Sequence, residues 1–338
     1  MLLDGKNKPF IIAEIGVNHN GCFDIAKELI DVAYEAKVDA VKFQTFKAWE
    51  CASRFAGLAE YQKNETENQY ELLKSLELDF PYFSDLKKYA ESLGLMFLST
   101  PDGITSLDFL CDIGVKAIKI ASGELTNLPF LTTIGFKKLP VILSTGMGTL
   151  GEVEKAIVTL KLAGATEIML MHCITEYPAP LNECNLKAIQ TMQQAFQLPV
   201  GFSDHTLGNE AAIIATTLGA AIIEKHITLD KKMNGPDHSA SIEPDELASY
   251  VEAIRNTPIM IGSGIKQPTR SEIKNIKLVR RSIVAAKQLE KGETLTGDKI
   301  ALKRPATGIE PKYLVQILGR KVCRDFAEDE PINWEDLV

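Results

Sequence analysis

The sequence has no apolar run approaching the roughly 18 uninterrupted residues that a membrane-spanning helix needs, so no such span is expected. It has no block of basic residues. Lys and Arg number 37 against 45 Asp and Glu, a formal charge of −8, which argues against nucleic acid or an anionic membrane as the main partner. The six cysteines (22, 51, 111, 173, 184 and 323) include no CxxC pair and no framework spacing, so reduced thiols in a cytoplasm are expected. The opening MLLDGKNKPFIIAEIG carries charges where a secretion leader requires apolar residues, and it reads directly into a strand. Neither Gly146-Met-Gly148 nor Gly262-Ser-Gly264 forms a dinucleotide or P-loop fingerprint. What remains is ordinary: 338 residues, 45% apolar and 24% charged, the composition of a soluble intracellular protein with the size of an enzyme.

Short β-branched runs alternate with amphipathic stretches from residue 10 to about 255. Expected strands are Phe10–Gly16, Ala40–Thr45, Met96–Thr100, Ala117–Ser122, Val141–Thr145, Ile168–Cys173, Val200–Asp204 and Ile222–Thr228. Helical patterns include Asp24–Ala36, Tyr82–Leu93, Glu152–Ala163, Asn209–Leu218 and Asp245–Ile254. Alternating βα order implies a parallel sheet with helical crossovers, and eight units fit a closed (β/α)8 TIM barrel better than an open sheet. The longest loop, Phe46–Asp79, is expected to hold a helix near Asn68–Leu76 and to cover a site. The barrel is assigned to residues 1–262 and a linker to 263–280. Residues 281–338 form a small second domain with strand-like pieces at Ser282–Ala286, Lys299–Leu302 and Lys321–Cys323. A domain that small buries only a modest core and is expected to lean on its own barrel or a neighbouring subunit.

The apolar strands end in polar and ionisable residues. In order these are Glu14 with Asn18 and His19; Lys42 and Gln44; Ser99 and Thr100; Lys119, Ser122 and Glu124; Ser144 and Thr145; His172 and Thr175; Ser203, Asp204 and His205; and Glu224 and His226. In a (β/α)8 barrel the C-terminal strand ends share one face, which carries the active site. By strand alternation Lys42 and Lys119 point into the barrel, where an unpaired ammonium is costly. Each needs an anion, supplied either internally by Glu14 and Glu124 or by a bound phosphate or carboxylate. Serine and threonine hydroxyls at the strand ends suit the same oxygens, which favours an anionic substrate. Glu224 and His226 share parity and face the mouth, while Lys225 faces away. With His205 on the neighbouring strand, His226 would suffice for an open metal site completed by substrate and water. His172 and His238 read as hydrogen-bonding residues, and His19 as a loop histidine.

Ten stretches resemble the bacterial sialic acid (nonulosonate) synthases in order and over nearly the full length: IIAEIGVNHNG, VKFQT, LSTP, KIASGE, ILSTGM, HCITEYPAP, GFSDHTLG, EKHIT, GPDH and KRPATG. That family includes N-acetylneuraminate, legionaminate and pseudaminate synthases, and residues 281–338 resemble its antifreeze-like (SAF) domain. The resemblance implies a metal-dependent condensation of phosphoenolpyruvate with an N-acetylmannosamine-type aldose, releasing phosphate. It would put Lys42, Thr100, Lys119, Ser122, Ser144, Thr175 and Ser203 on phosphoenolpyruvate. Gln44, Asn64, Tyr177, Glu224 and Asp237 would line the sugar site, with Arg304 reaching in from the partner of a domain-swapped homodimer. His205 and His226 would bind manganese, with magnesium or cobalt as alternatives. Glu14 and Glu124 would transfer protons, Glu14 being preferred as the base. Two departures bear on the sugar: the usual STPF reads STPD, with Asp102 for the aromatic residue, and Thr175 stands for a frequent asparagine. The EYPAP run is closer to the legionaminate branch.

Three readings compete: the synthase, in its N-acetylneuraminate or legionaminate form with the pseudaminate form as the alternative; a metal-dependent barrel hydrolase acting on one substrate; and a carbohydrate-binding protein on a retired barrel. The last would require an eroded cluster, yet Glu14, Lys42, Lys119, His205, His226 and Arg304 all stand.

Overall fold

A computed structural model describes residues 8–58 and 68–338, and the chain divides into two compact units, Met1–Gly262 and Ser263–Val338. In the first unit eight strands follow one another around a closed, all-parallel barrel. They are β1 (Phe10–Gly16), β2 (Ala40–Thr45), β3 (Met96–Pro101), β4 (Ile118–Ile120), β5 (Val141–Ser144), β6 (Ile168–Cys173), β7 (Val200–Asp204) and β8 (Ile222–His226). The helices are α1 (Phe23–Glu35), α2 (Ala48–Cys51), α3 (Gln69–Leu76), α4 (Phe80–Ser92), α5 (Ile104–Asp112) and α6 (Leu128–Phe136). There follow α7 (Leu150–Ala163), α8 (Ala188–Phe196), α9 (Glu210–Thr217) and α10 (Pro244–Ile261). Among the described residues no helix is long and apolar enough to cross a membrane.

Two barrel strands end more than one residue from where they are expected to. The fourth strand is only three residues long, because Ser122–Glu124 coil into a 3-10 turn. The eighth stops at His226, and Ile227 bridges to Ile242 instead of continuing the barrel. In the long β2–α4 connection, Asn68 caps α3 by accepting from the Glu71 amide, and Leu72 and Leu76 pack on Val17 and Phe46.

Strand alternation divides the apolar residues into two compartments. Outward-facing residues such as Phe43, Phe97, Phe202 and Ile223 join the helices in the main core. Inward-facing Ile12, Ala40, Leu98, Ala117, Ile142, Met171 and Ile222 fill the barrel interior. Two residues further along each of those strands stand Glu14, Lys42, Thr100, Lys119, Ser144, Cys173 and Glu224. An apolar layer therefore forms the floor beneath a ring dominated by polar side chains. Strand β7 puts Gly201 in the apolar layer under Ser203. A Cβ there would lie 2.6 Å from both the Ile222 carbonyl oxygen and Met171 Sδ, so only glycine fits.

In the second unit the stretch expected to be a linker contains a helix, α11 (Arg270–Val279), started by a capping box between Thr269 and Glu272. Beyond it β9 (Ser282–Ala285) and β10 (Ile300–Lys303) pair antiparallel, and a last short helix, α12 (Leu314–Ile317), follows. Lys321 and Val322 form isolated bridges, to Thr294 and Leu337, rather than a strand. A core of nine buried residues, with Phe326 the largest, holds this unit together.

Gly201→Ala is expected to destabilise the barrel by roughly 1–3 kcal/mol through overpacking. Urea unfolding followed by circular dichroism measures this, and an unchanged midpoint would contradict the layered packing.

Candidate active site

The polar ring encloses a cavity of about 170 Å³ at the C-terminal ends of the strands. That is smaller than the ~300–1,000 Å³ of drug-sized pockets and suits a compact ligand. Glu14, Lys42, Thr100, Lys119, Ser144, Ser203 and Glu224 line it at depth, and Gln44, Ser122, Thr175, Tyr177, His205 and His226 lie above them. Residues from all eight strands, or from the loops just after them, thus meet in one place.

The deepest part is a chain of buried charges. Lys42 Nζ lies 2.6 Å from Glu14 Oε2, 3.8 Å from Glu224 Oε2 and 3.2 Å from Thr100 Oγ1. Lys119 Nζ donates to Ser144 Oγ at 2.6 Å and lies 3.7 Å from Glu224 Oε1, which accepts from Ser203 Oγ at 2.8 Å. Lys42 and Lys119 therefore share Glu224. Glu124, expected as a possible partner, takes no part: it closes the 3-10 turn, and its Oε2 accepts from Asn127 at 2.6 Å.

Burial and mutual charge divide these groups. Burial pushes Glu14 up to about 7, against the pull of Lys42. Burial would raise Glu224 too, but Lys119 and Lys42 overrule it and hold that carboxyl at about 2. Lys42 ends above its ordinary value because Glu14 and Glu224 outweigh its burial; Lys119, with less compensation, ends below. Near neutral pH the ring thus holds one firmly ionised carboxylate, one carboxyl poised between its two states, and two lysines of which Lys42 is held charged more firmly than Lys119.

Close approach at the rim depends on Gly146. A Cβ there would lie 2.5 Å from Thr175 Oγ1 and 2.7 Å from Ser122 Oγ, and the Gly146 amide donates to Ser122 Oγ at 3.1 Å. Cys173 Sγ stands 3.2 Å from the same hydroxyl. Tyr177 stacks on His205 with ring centroids 4.1 Å apart and meets His226 edge-on.

His205 donates from Nδ1 to the Ile174 carbonyl at 2.6 Å, which fixes its tautomer and leaves Nε2 as a lone-pair donor 3.2 Å from Ser203 Oγ. Buried His226 Nδ1 has no hydrogen-bond partner among the described residues and lies 3.8 Å from Asp237 Oδ2. Burial lowers both histidines, His205 to about 4, so both rings are neutral. Among the described residues no three or more His, Cys, Asp or Glu side chains form a metal cluster. Two neutral imidazoles, one oriented by a carbonyl and one with an orphaned nitrogen, fit a divalent cation that takes its other ligands from substrate and water.

Several strand-end residues grouped with the mouth turn away from it, since neighbours on a strand face opposite ways. Ser99 bonds Thr45, and Thr145 donates to the Met171 carbonyl. His172 donates to the Cys184 carbonyl, and Asp204 pairs with Lys225 on the outer face of the wall. Asp237 is half-buried beside His226 without lining the cavity, and burial pushes it up to about 6. Asp102, half-buried past the end of β3, is raised to about 7 by burial and by Glu124. Asn64 lies outside the described residues, and Arg304 is exposed in the second unit after β10. Sequence reasoning did not find Tyr250 on α10, which donates to Asp204, or the Ile174 carbonyl.

The profile of the NeuB family matches residues 29–266, and that of the SAF domain matches residues 280–338. The chain belongs to the NeuB family. Its NeuB-family relatives include N,N'-diacetyllegionaminic acid synthases from Campylobacter jejuni, 47% identical over 96% of this chain and 99% of that one, and from Legionella pneumophila, 46% identical over 97% and 94%. The crystal structure of the N-acetylneuraminic acid (sialic acid) synthetase from Leptospira borgpetersenii superposes with a TM-score of 0.70 at 35% identity, covering 80% of this chain and 91% of that one.

His19, on the β1–α1 loop of this NeuB-family barrel, gives a pH test separate from the cavity. It is 1% exposed, accepts from the Gly21 amide at Nδ1, and is lowered by burial to about 4. Between pH 6.5 and 4 the unfolded chain binds a proton there that the folded chain refuses, so this residue's contribution falls as pH falls. Relative to His19→Gln, the native protein is expected to lose about 3 kcal/mol across that window. Chemical denaturation at several pH values checks this; parallel curves would contradict it.

Proposed function

We propose that this protein is a nonulosonate synthase that condenses phosphoenolpyruvate with an N-acetylmannosamine-type aldose to give a nine-carbon 2-keto acid and phosphate. The observation that carries the reading is the single small cavity joining Lys42 and Lys119 to a ring of hydroxyls beside two neutral imidazoles. Membership of the NeuB family supports it. The acceptor is proposed to be a 2,4-diacetamido-6-deoxy mannose derivative, because the relatives at 46–47% identity are diacetyllegionaminic acid synthases. The six free cysteines agree with a reducing compartment, and we place the protein in the cytoplasm.

Lys42 and Lys119 would hold the phosphate and carboxylate, with Thr100, Ser122, Ser144, Thr175 and Ser203 donating to the remaining oxygens. Held in one pose, carbon 3 of phosphoenolpyruvate attacks the aldehyde carbon of the open-chain sugar, and positive charge develops at carbon 2. Water adds at carbon 2 and gives up a proton, which balances the one taken up by the alkoxide formed from the aldehyde oxygen. The resulting tetrahedral intermediate then expels phosphate. Glu14 is the proposed acceptor of that proton, since its raised pKa lets it exchange protons near neutral pH; Glu124, outside the cavity, is less well placed. His205 and His226 would hold a divalent cation, manganese by preference. When bound, that ion supplies Lewis acidity toward the aldehyde oxygen. Gln44, Tyr177, Glu224 and Asp237 would border the sugar.

The mouth is proposed to be completed by a second copy of the chain. Loops at this end carry exposed apolar side chains, Trp49, Phe55, Ile104, Met147, Leu181 and Leu207, which a partner would cover. Arg304 of that partner would contact the N-acetyl group.

Phosphate release is expected only when phosphoenolpyruvate, the aldose and manganese are all present. His205→Ala and His226→Ala should abolish it. Release from one substrate alone would favour a hydrolase; sugar binding without any release would favour a retired barrel. Lys119→Met should raise the KM for phosphoenolpyruvate by about 10- to 100-fold, the loss of one charge-assisted hydrogen bond. Arg304→Ala should raise the KM for the sugar far more than that for phosphoenolpyruvate, and equal effects would sink its role.

A further inference from the structure

The outer face of the barrel wall behind the two histidines holds a second buried polar cluster that the reaction does not use. Strands β7 and β8 pair through Phe202–Ile223, Ser203–Glu224 and Asp204–Lys225. The middle pair faces the cavity. The last faces outward, and its two side chains are at most 3% exposed, with Nζ to Oδ2 at 3.2 Å. Asp204 Oδ2 also accepts from Tyr250 on α10 at 2.8 Å. Its Oδ1 accepts from the Thr206 amide at 2.9 Å and from the Thr206 hydroxyl at 2.7 Å. Lys225 in turn donates to the Thr206 carbonyl and lies over the Tyr250 ring, 5.5 Å from its centroid. All three polar groups of Thr206 are thus tied to this pair. His205 sits between the tied residues 204 and 206, and His226 directly follows Lys225.

A buried ion pair is poor evidence for stability, since hydrophobic residues of similar volume often serve as well or better. We propose that Asp204, Lys225 and Tyr250 are positioning residues that set the placement of His205 relative to His226 across the β7–β8 edge. The inference rests on the reading of those imidazoles as a cation seat, and extends it to residues that touch neither cation nor substrate. Outer partners of metal-binding histidines commonly govern affinity by about 10- to 100-fold.

The test is the double variant Asp204→Leu/Lys225→Met, which removes both charges together and leaves neither of them unpaired. It is expected to stay folded, its melting temperature lowered only by the partners that Tyr250 and Thr206 lose, and to keep most of its affinity for phosphoenolpyruvate, whose charges Lys42 and Lys119 hold on other strands. Manganese, titrated calorimetrically, should bind at least about tenfold more weakly. Unchanged manganese affinity overturns the proposal. So does a parallel loss of melting temperature, phosphoenolpyruvate binding and metal binding, which marks a merely structural pair. If the double variant does not fold, Tyr250→Phe decides by the same two readouts. If the unaltered protein takes up no manganese, the cation reading has failed by itself. The crystal structure of the double variant then judges the positioning claim: His205 displaced from the Ile174 carbonyl supports it, and an unmoved ring overturns it.

Discussion

The barrel interior is organised by the need to neutralise two lysines that cannot reach water. Lys42 and Lys119 sit directly above an apolar layer, at about 3% exposure each. Isolated, either ammonium would be driven neutral or would destabilise the fold by several kcal/mol. Internal compensation is incomplete. Glu224 serves both lysines at 3.7–3.8 Å, and Glu14, in contact with Lys42, is itself near half-protonation at neutral pH. The ring is left short of negative charge. The proposed anionic substrate would supply what is missing, in a low-dielectric site where each contact counts for more than in water. The same shortage explains the hydroxyls: each gives a neutral donor to an oxygen without adding a further charge to the interior.

The cost of that arrangement falls on the barrel wall. Because neighbouring residues on a strand face opposite ways, a strand that presents Ser203 and His205 inward must present Phe202 and Asp204 outward. The inner face holds chemistry, and the outer face must hold whatever keeps the strand ends in register. On most strands this is apolar packing against helices. At β7 and β8 it is a polar clamp, placed at the edge where the two imidazoles meet with ring centroids 5.6 Å apart. Imidazole ligation tolerates little displacement, and a clamp of directional hydrogen bonds fixes a backbone more tightly than packing alone.

Much of this was legible in the chain because two periodicities suffice for it. The βα alternation determines the barrel, and the two-residue repeat places Lys42, Lys119, Glu224 and His226 inside and Lys225 outside. The errors arose where that repeat was not carried through. Asp204 lies between two inward residues and had to face outward, as did Thr145 after Ser144 and His172 before Cys173; grouping them by proximity to the strand end ignored their parity. Glu124 was offered to the lysines, but a 3-10 turn moves it away, and no two-residue rule extends into a turn. Tyr250 could not have been found, since its partner is set by how α10 docks on the wall. The helix at Arg270–Val279 was hidden by the glycines and proline before it, although Thr269 and Glu272 spell a capping box.

The geometry also separates the residues on the strands from those on the loops just beyond them. The charge ladder and the histidines stand on or directly beyond strands, rigid elements locked by the packing beneath them. The two positions that the sequence reading sets apart from the family motifs stand past the strand ends. Asp102 follows β3, and Thr175 follows β6 in the space left open by Gly146. A carboxyl raised to about 7 just past the end of β3 can either donate to a carbonyl or accept from an amide, which an aromatic ring in that place could not do. A second acetamido group offers both kinds of atom. On the proposed function, choice of sugar would be set largely by the loops, adjustable without touching the ladder that would hold phosphoenolpyruvate.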